Sequence, residues 1–197
     1  DEENRAAGLP SEYGVGDIPL VLQDRRFMED GRFDYLTSMH DTMMGFAGDV
    51  LLVNGTARPM LALQRQRTRL RVLNGSNSRI YALGRDDGED LVLVASDGGL
   101  LEAPARTRRI RLAPGERVEV IVDARPESAF RLISYPDLSA GGVMGMAGNA
   151  ETFPVLELRA GKLDAANAPL PSRLSTVRQW KVEDSTATRV FSLDMGM

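Results

Sequence analysis

The sequence between Gly48 and Ala124 decides the fold. It reads GDVLLVNG at residues 48–55, RLRVLNGSNSR at 69–79, LVLVASDGGLL at 91–101 and RIRLAPGERVEVIVDA at 109–124. Each run ends in or contains an Asn-Gly, Asp-Gly or Pro-Gly pair, and such pairs between β-branched runs are typical of antiparallel β structure. The stretch therefore predicts a series of strands joined by tight turns.

The pattern of short apolar runs continues on both sides of this stretch. Residues 37–47 (TSMHDTMMGFA) interrupt it and predict a loop or a helical turn. Turn residues recur at intervals of about 8 to 12 residues without helical periodicity, which indicates an all-β sandwich or barrel. The predicted strands are, in chain order, Pro19–Asp24, Phe33–Leu36, Val50–Val53, Thr68–Leu73, Arg79–Leu83, Leu91–Ala95, Arg106–Leu112, Val118–Asp123, Ala129–Tyr135 and Phe153–Leu158.

Polar and apolar residues alternate within the predicted strands. Leu70 and Val72 alternate with Arg69 and Arg71. Likewise, three valines of one run alternate with charged residues and one isoleucine: Val118, Val120 and Val122 against Arg117, Glu119 and Ile121. Because successive side chains of a strand point to opposite faces, this pattern predicts one buried face and one face in water.

Composition excludes several classes of function. The chain has 197 residues, a net charge of -4 and a sequence pI near 5.2, and a general nucleic-acid binder is expected to be basic. No run reaches the roughly 18 apolar residues of a membrane helix. We therefore expect neither a nucleic acid nor a membrane as partner. With no cysteine, the chain forms no disulfide, thiolate metal site or cysteine nucleophile.

Changes in composition along the chain predict four parts. Residues 1–16 are polar and contain Gly and Pro, as expected of a linker from a preceding domain. Residues 17–159 carry the strand pattern and form the predicted domain. Residues 160–175 (AGKLDAANAPLPSRLS) predict a second linker, and 176–197 predict the first strands, Thr176–Val182 and Arg189–Asp194, of a following, truncated domain. The sequence thus reads as a piece of a longer protein.

The order GDVLLVNG, RLRVLNGSNSR, VASDGG, APGERVEVIVD resembles the middle, second cupredoxin-like domain of bacterial three-domain multicopper oxidases, the cuprous-oxidase and laccase-like group. The resemblance covers about residues 17–158. It implies a cupredoxin-like Greek-key β-sandwich whose partners are the first and third cupredoxin domains of the same chain. It also implies a periplasmic location and a parent that couples oxidation of a phenol-like substrate or cuprous ion to reduction of dioxygen to water.

Copper chemistry of this family needs ligands that this sequence lacks. A blue-copper site takes a Cys thiolate, two His and usually a weak axial Met. In the family, His-X-His pairs of the first and third domains hold the oxygen-reducing cluster. This chain has no Cys and one His. We therefore expect copper in the parent but none in this segment, no catalytic, cofactor-binding or metal residues here, and an inactive, structural spacer. The alternative is a copper-free relative, a scaffold or cell-division protein.

His40 and several methionines are the nearest approach to metal ligands. Thioether sulfur suits Cu(I), but methionine also fills irregular gaps at interfaces. We favour packing for the methionines and an ordinary loop position for His40. The methionines in loop-like stretches are Met39, Met43, Met44, Met144, Met146, Met195 and Met197.

Other polar groupings have structural interpretations. The loop GGVMGMAG at Gly141–Gly148 lacks the Lys-Ser/Thr of a phosphate-binding loop and predicts an interdomain loop. Ser96-Asp97 predicts a turn. The acidic group Asp86, Asp87, Glu89 and Asp90 predicts a solvated loop rather than a weak cation site. For Arg65, Arg67, Arg69 and Arg71, and for Arg106, Arg108, Arg109 and Arg111, we expect ion pairs across strands or to a neighbouring domain.

Overall fold

The structure is a computed structural model that describes residues 5, 7–35, 38–136, 151–163 and 169–192. In this part of the chain, strands dominate and one short helix, α1, covers Met39–Met44. No helix there is long and apolar enough to span a membrane. The strands are β1 Asp17–Arg25, β2 Val50–Val53, β3 Thr56–Ala57, β4 Met60–Leu63, β5 Arg67–Asn74, β6 Tyr81–Arg85, β7 Leu91–Ser96, β8 Gly99–Thr107, β9 Ile110–Leu112, β10 Arg117–Asp123, β11 Ala129–Ser134 and β12 Phe153–Ala160.

The strands form two sheets packed face to face. The larger sheet has seven strands in the order β3-β2-β1-β5-β10-β7-β8, and the smaller has five in the order β4-β12-β11-β6-β9. Pairing is antiparallel except between β1 and β5 and between β12 and β4. The all-β sandwich predicted from the sequence is confirmed.

The core lies between the sheets. Leu70, Val72, Val120 and Val122 of the larger sheet are buried against residues of the smaller sheet such as Leu158. Because the inward residues of β5 and β10 alternate with outward ones, the burial pattern follows the two-residue period of a strand. The alternation predicted for these strands is confirmed.

Part of the outer face of the larger sheet is covered, which corrects the prediction that this whole face lies in water. Arg69 and Ile121 both point outward and are both fully buried. Ile121 belongs to a second buried cluster with Val92, Val94 and Leu9. The covering residues come from outside the predicted domain, so the alternation of β5 and β10 alone carries no sign of them.

Two local predictions differ from the structure, and a third is confirmed. The predicted strand Arg106–Leu112 is broken: β8 pairs with β7 in the larger sheet, whereas β9 pairs with β6 in the smaller. The chain changes sheets at residues 108–109, which the run of arginines and β-branched residues does not reveal. In the described part of the predicted return strand Phe33–Leu36, residues 33–35, the pairing is an isolated bridge between Phe33 and Phe27, and Leu36 lies outside the described residues. The helical turn expected within residues 37–47 is confirmed as α1.

The segment after Thr176 contains no strand among its described residues. The predicted strand Thr176–Val182 is not formed, and a short 3-10 helix covers Val182–Asp184. Residues 189–192 are likewise unpaired, and the end of the predicted strand Arg189–Asp194 lies outside the described residues. That this segment begins a following domain, and the domain limits in general, stay predictions.

Candidate functional site

A groove of about 860 Å³ lies on one side of the sandwich. It lies where the end of β1, the start of β2 and the start of β12 meet. Its polar lining includes Asp24, Arg26 and Arg79, and its apolar lining includes Val50 and Phe153. The groove combines charge and apolar surface, as protein–protein contacts commonly do.

A buried ion pair holds the floor of the groove. The Arg79 guanidinium donates through Nε to Asp24 Oδ2 at 2.9 Å and through Nη2 to the carbonyl oxygen of Gly48 at 2.6 Å. The Gly48 amide donates to the same Asp24 oxygen at 2.7 Å. Asp24 is only 1% exposed, so its charge depends on these donors. The contact ties β1 to the loop before β2.

Gly48 is required by the close approach of β1. A Cβ atom at this position would lie 2.4 Å from the backbone nitrogen of Arg25. No ordinary contact is that short, so any side chain would displace the backbone of β1. The Gly-Asp pair that precedes the first apolar run therefore has a packing role.

The GSNSR turn after β5 builds the polar surroundings of this ion pair. Ser76 Oγ accepts from the Asp24 amide at 3.2 Å and shares a hydrogen bond with the Tyr81 hydroxyl at 2.7 Å. Asn74 donates through its carboxamide to the carbonyl oxygens of Arg79 and Leu112 at 2.8 and 2.9 Å. Burial raises the pKa of the Tyr81 hydroxyl above its ordinary value, so Tyr81 stays neutral. The motif is structural.

Exposed aromatic residues lie in the hairpin that follows β1. Phe27 and Phe33 have ring centroids 5.3 Å apart and are 40% and 61% exposed. The exposed Tyr35 packs its ring edge-on against the buried Phe46, with centroids 5.0 Å apart. We call residues 27–35 the aromatic hairpin. Exposed apolar side chains at neighbouring positions are a common feature of surfaces that contact a protein, a membrane or a ligand.

Helix α1 lies next to this hairpin and is anchored by one carboxylate. The Arg26 guanidinium is 2.5 Å from Asp41 Oδ2 and 3.0 Å from Asp34 Oδ2. Ser38 caps the helix by accepting from the Asp41 amide at 3.1 Å. Burial alone would raise the pKa of Asp41, but the hydrogen bonds from Arg26 and Ser38 outweigh it and hold the pKa below its usual range.

The candidate metal ligands do not assemble into a site. His40 is exposed, and Met39 and Met43 are each 75% exposed. Among the described residues, no three His, Cys, Asp or Glu side chains are placed to hold a metal ion. With no Cys and one His in the whole chain, the available donors do not fit a blue-copper or trinuclear centre. The Met44 side chain, Met144, Met146, Met195, Met197 and the predicted loop Gly141–Gly148 lie outside the described residues.

Most of the charged groups identified in the sequence form ion pairs. Each acidic residue of the group after β6 has its own arginine: Asp86 with Arg131, Asp87 with Arg85, Glu89 with Arg125 and Asp90 with Arg108. The arginines of β5 and the turn before it pair as expected: Arg65 with Glu12, Arg67 with Asp123, Arg69 with Asp17 and Glu119, and Arg71 with Asp17. Arg109 lies 4.1 Å above the Tyr135 ring, and Asp97, in the predicted turn, binds Arg117 at 2.7 Å. The ion pairs expected for the first arginine set are confirmed, whereas in the second set Arg108 forms one and Arg109 packs on an aromatic ring.

The sequence reasoning missed Asp24 and the aromatic hairpin. An isolated aspartate in QDRRF gives no sign of an ion pair with an arginine 55 positions away. The aromatic residues are spaced unevenly over residues 27–35 and follow neither a strand nor a helix period.

Comparison with known proteins gives one family. The family model described as multicopper oxidase matches residues 23–140. The chain is 45% identical over 123 residues to a protein named cell division protein FtsP from Proteus mirabilis (strain HI4320), covering 62% of this chain and 26% of that protein. It is 38% identical over 181 residues to the protein of the same name from Photorhabdus laumondii, and the match covers 88% of this chain and 37% of that protein.

Solved structures agree with the family model. The 2F4 variant of the McoA multicopper oxidase from Aquifex aeolicus superposes with a TM-score of 0.81 at 37% identity, covering 93% of this chain and 40% of that one. The laccase-like multi-copper oxidase CueO from Ochrobactrum sp. superposes with a TM-score of 0.77 at 35% identity, and the match covers 93% of this chain and 39% of that one. These matches confirm the cupredoxin-like fold. The chain spans between about a quarter and two fifths of the length of these relatives.

Proposed function

The chain belongs to the multicopper oxidase family, and from that premise we propose that it is the middle, structural domain of a copper-dependent oxidase. The parent protein couples one-electron oxidation of a phenol-like substrate or of cuprous ion to the reduction of dioxygen to water. Copper in the parent is held by flanking first and third cupredoxin domains. This segment spaces those domains, and the whole protein works in the periplasm.

The donor set of this chain carries the proposal. The fold matches multicopper oxidase structures over 93% of the chain, yet the chain contributes no Cys and a single exposed His. A domain that keeps the fold of the family but lacks its copper ligands positions the neighbouring domains and takes no part in the redox chemistry. The acidic and basic side chains around it are used in pairs with each other, which supports the same role.

The groove and the aromatic hairpin are the surfaces that we assign to the flanking domains. Phe33 and Tyr35 are more than half exposed, and Met39 and Met43 of α1 are exposed beside them. The relatives are about two and a half times as long as this chain, so they carry further domains that such a surface can contact. Burying these side chains against a neighbouring domain removes apolar area from water and stabilises one relative orientation.

The proposal is tested in the longer protein that contains this segment. We expect that protein to bind several copper ions and to oxidise a phenol only in the presence of dioxygen, with water as the product. Phe33→Ser, on the hairpin, is expected to weaken copper retention and oxidase activity together by loosening the domains. Arg125→Ser, which changes an 86% exposed side chain elsewhere on the sandwich, is the control. A longer protein that binds no copper refutes the oxidase function.

The names of the curated relatives favour a second candidate. Proteins 38% to 46% identical to this chain are named as cell division proteins, whereas the multicopper oxidase structures are at most 37% identical among those compared. In that case the parent is a copper-free scaffold of the same fold. The flanking sequence distinguishes the two: His-X-His pairs upstream and a His-Cys-His run downstream mean an oxidase, and their absence means a scaffold.

A further inference from the structure

Two segments outside the sandwich lie on the outer face of the larger sheet. We call residues 7–16, before β1, the incoming arm, and residues 169–177, after β12, the outgoing arm. The sequence predicts residues 7–16 and 169–175 as parts of linkers and residues 176–177 as the start of a strand. In the structure each arm is attached to the sheet, so together they add a third layer to the sandwich.

One buried apolar cluster joins the two arms. Leu9 of the incoming arm is 4% exposed and Leu174 of the outgoing arm is 8% exposed. Both pack in a cluster whose other buried members, Val92, Val94 and Ile121, are outward-facing residues of β7 and β10. Without the arms, these three side chains would lie on a sheet face in water.

Hydrogen bonds hold the outgoing arm to β8. The Leu174 amide donates to the carbonyl oxygen of Glu102 at 2.8 Å, and the Ser175 hydroxyl donates to that of Leu101 at 2.9 Å. The Val177 amide donates to Glu102 Oε1 at 3.3 Å. Since β8 is the last strand of the larger sheet, the outgoing arm also covers an edge that would otherwise be open.

The incoming arm is fixed at the other side of the same face. The Arg69 amide donates to the carbonyl oxygen of Gly16 at 2.8 Å, and Arg65 pairs with Glu12 at 3.0 Å. The two arms also approach each other: a methyl group added at Gly8 would lie 3.4 Å from Cγ of Pro171. The arms therefore share a cluster and a sheet face and lie close together.

We infer that the two arms form one interlocked clamp, which fixes side by side the points where the chain enters and leaves the sandwich. The inference rests on the proposed spacer function, because the arms are then the connections to the flanking domains. Removing the apolar side chain of one arm exposes the shared cluster to water and so weakens the attachment of the other arm. The clamp thus limits how far the two neighbours can separate.

Hydrogen exchange on this 197-residue chain tests the clamp. In Leu9→Ala, we expect the amides of Leu174 and Val177, which belong to the other arm, to exchange roughly tenfold faster, a change that corresponds to about 1.4 kcal/mol. The amide of Val120, in the centre of the larger sheet, should keep its wild-type rate. Unchanged exchange at Leu174 and Val177 overturns the inference, as does equal acceleration at Val120.

Two further variants complete the test. Leu174→Ala should accelerate exchange of the Arg69 amide, which donates to the incoming arm, and an unchanged rate there contradicts the coupling. Val182→Ala, at an 87% exposed position outside both arms, should change none of these rates. In the longer protein, Leu9→Ala should broaden the distribution of interdomain distances in X-ray scattering. An unaltered distribution overturns the positioning role whether or not the protein binds copper.

Discussion

At the scale of single residues, the buried ion pair between Asp24 and Arg79 is the feature whose loss we expect to destabilise this domain most. Both side chains are removed from water, and Asp24 Oδ2 receives donors from Arg79 and from the Gly48 amide. A buried charge that loses its partner costs far more than an exposed pair contributes. The floor of the groove therefore depends on three residues brought together from distant parts of the sequence.

Replacing Arg79 with methionine tests this dependence. The variant leaves the Asp24 carboxylate buried without its counter-ion, so we expect the free energy of unfolding to fall by about 3 to 5 kcal/mol. Arg125→Met is the matched control, because Arg125 and its partner Glu89 are 86% and 59% exposed. Loss of an exposed pair should cost about 0 to 1 kcal/mol. Urea unfolding measures both; equal losses would show that the burial of the pair has no energetic consequence.

Gly48 gives a second test at this scale. An alanine Cβ would lie 2.4 Å from the Arg25 backbone nitrogen, so Gly48→Ala must displace β1 or the loop before β2. We expect destabilisation of roughly 1 to 3 kcal/mol, the range for overpacked sites. At Gly98, where a Cβ would have no neighbour within 4 Å, alanine should be close to neutral. Thermal unfolding of the two variants separates the steric effect from the general effect of losing a glycine. A Gly48→Ala protein as stable as the wild type would contradict the predicted steric clash.

At the scale of elements, the turns between strands are held by carboxylates paired with arginines. Asp97, in the turn between β7 and β8, accepts hydrogen bonds from the Arg117 side chain and amide, which hold its pKa below the usual range. For Asp86, burial alone would raise the pKa, but hydrogen bonds from the Arg131 amide and guanidinium outweigh it, so the pKa is lowered. Strand connections of this kind are sensitive to acid.

The pH dependence follows from the direction of these shifts. A carboxyl group whose pKa is lower in the folded state contributes stability that is fully present above its unfolded pKa of about 4. That contribution is lost as pH falls through the folded value. We expect the melting temperature to fall steadily as pH is lowered below about 4, and Asp97→Asn to reduce the size of that fall. A melting temperature that is constant from pH 7 to pH 2.5 would contradict the assignment of these pairs.

The sequence predicts the elements that turn residues delimit. Strands β2, β5, β7 and β10 lie where Asn-Gly, Asp-Gly and Pro-Gly pairs place them, because these pairs fix the backbone of a turn locally. The division between β8 and β9 could not be predicted, since the change of sheet depends on which neighbour each half meets. The groove depends in the same way on contacts between distant residues. Tertiary contacts decide what local propensity leaves open.

At the scale of the whole molecule, the chain is a three-layer body rather than a bare sandwich. Leu9 lies between Gly8 and Pro10, and Leu174 lies between Arg173 and Ser175, so their immediate neighbours in sequence give no indication of burial. Their burial connects the two arms through the outer face of the larger sheet. A spacer domain of this form fixes the relative positions of its neighbours, because the arms that connect it to them are packed against its own sheet.

The central claim is that this domain supplies geometry and no copper ligands, and copper binding by the isolated 197-residue chain tests it most directly. The purified chain is loaded with Cu(II), and in a second sample with Cu(I) under reducing conditions, then dialysed against a competing chelator. We predict far less than one copper per chain in both samples, because the chain has no Cys and one exposed His. One copper per chain that survives the competitor would contradict the account.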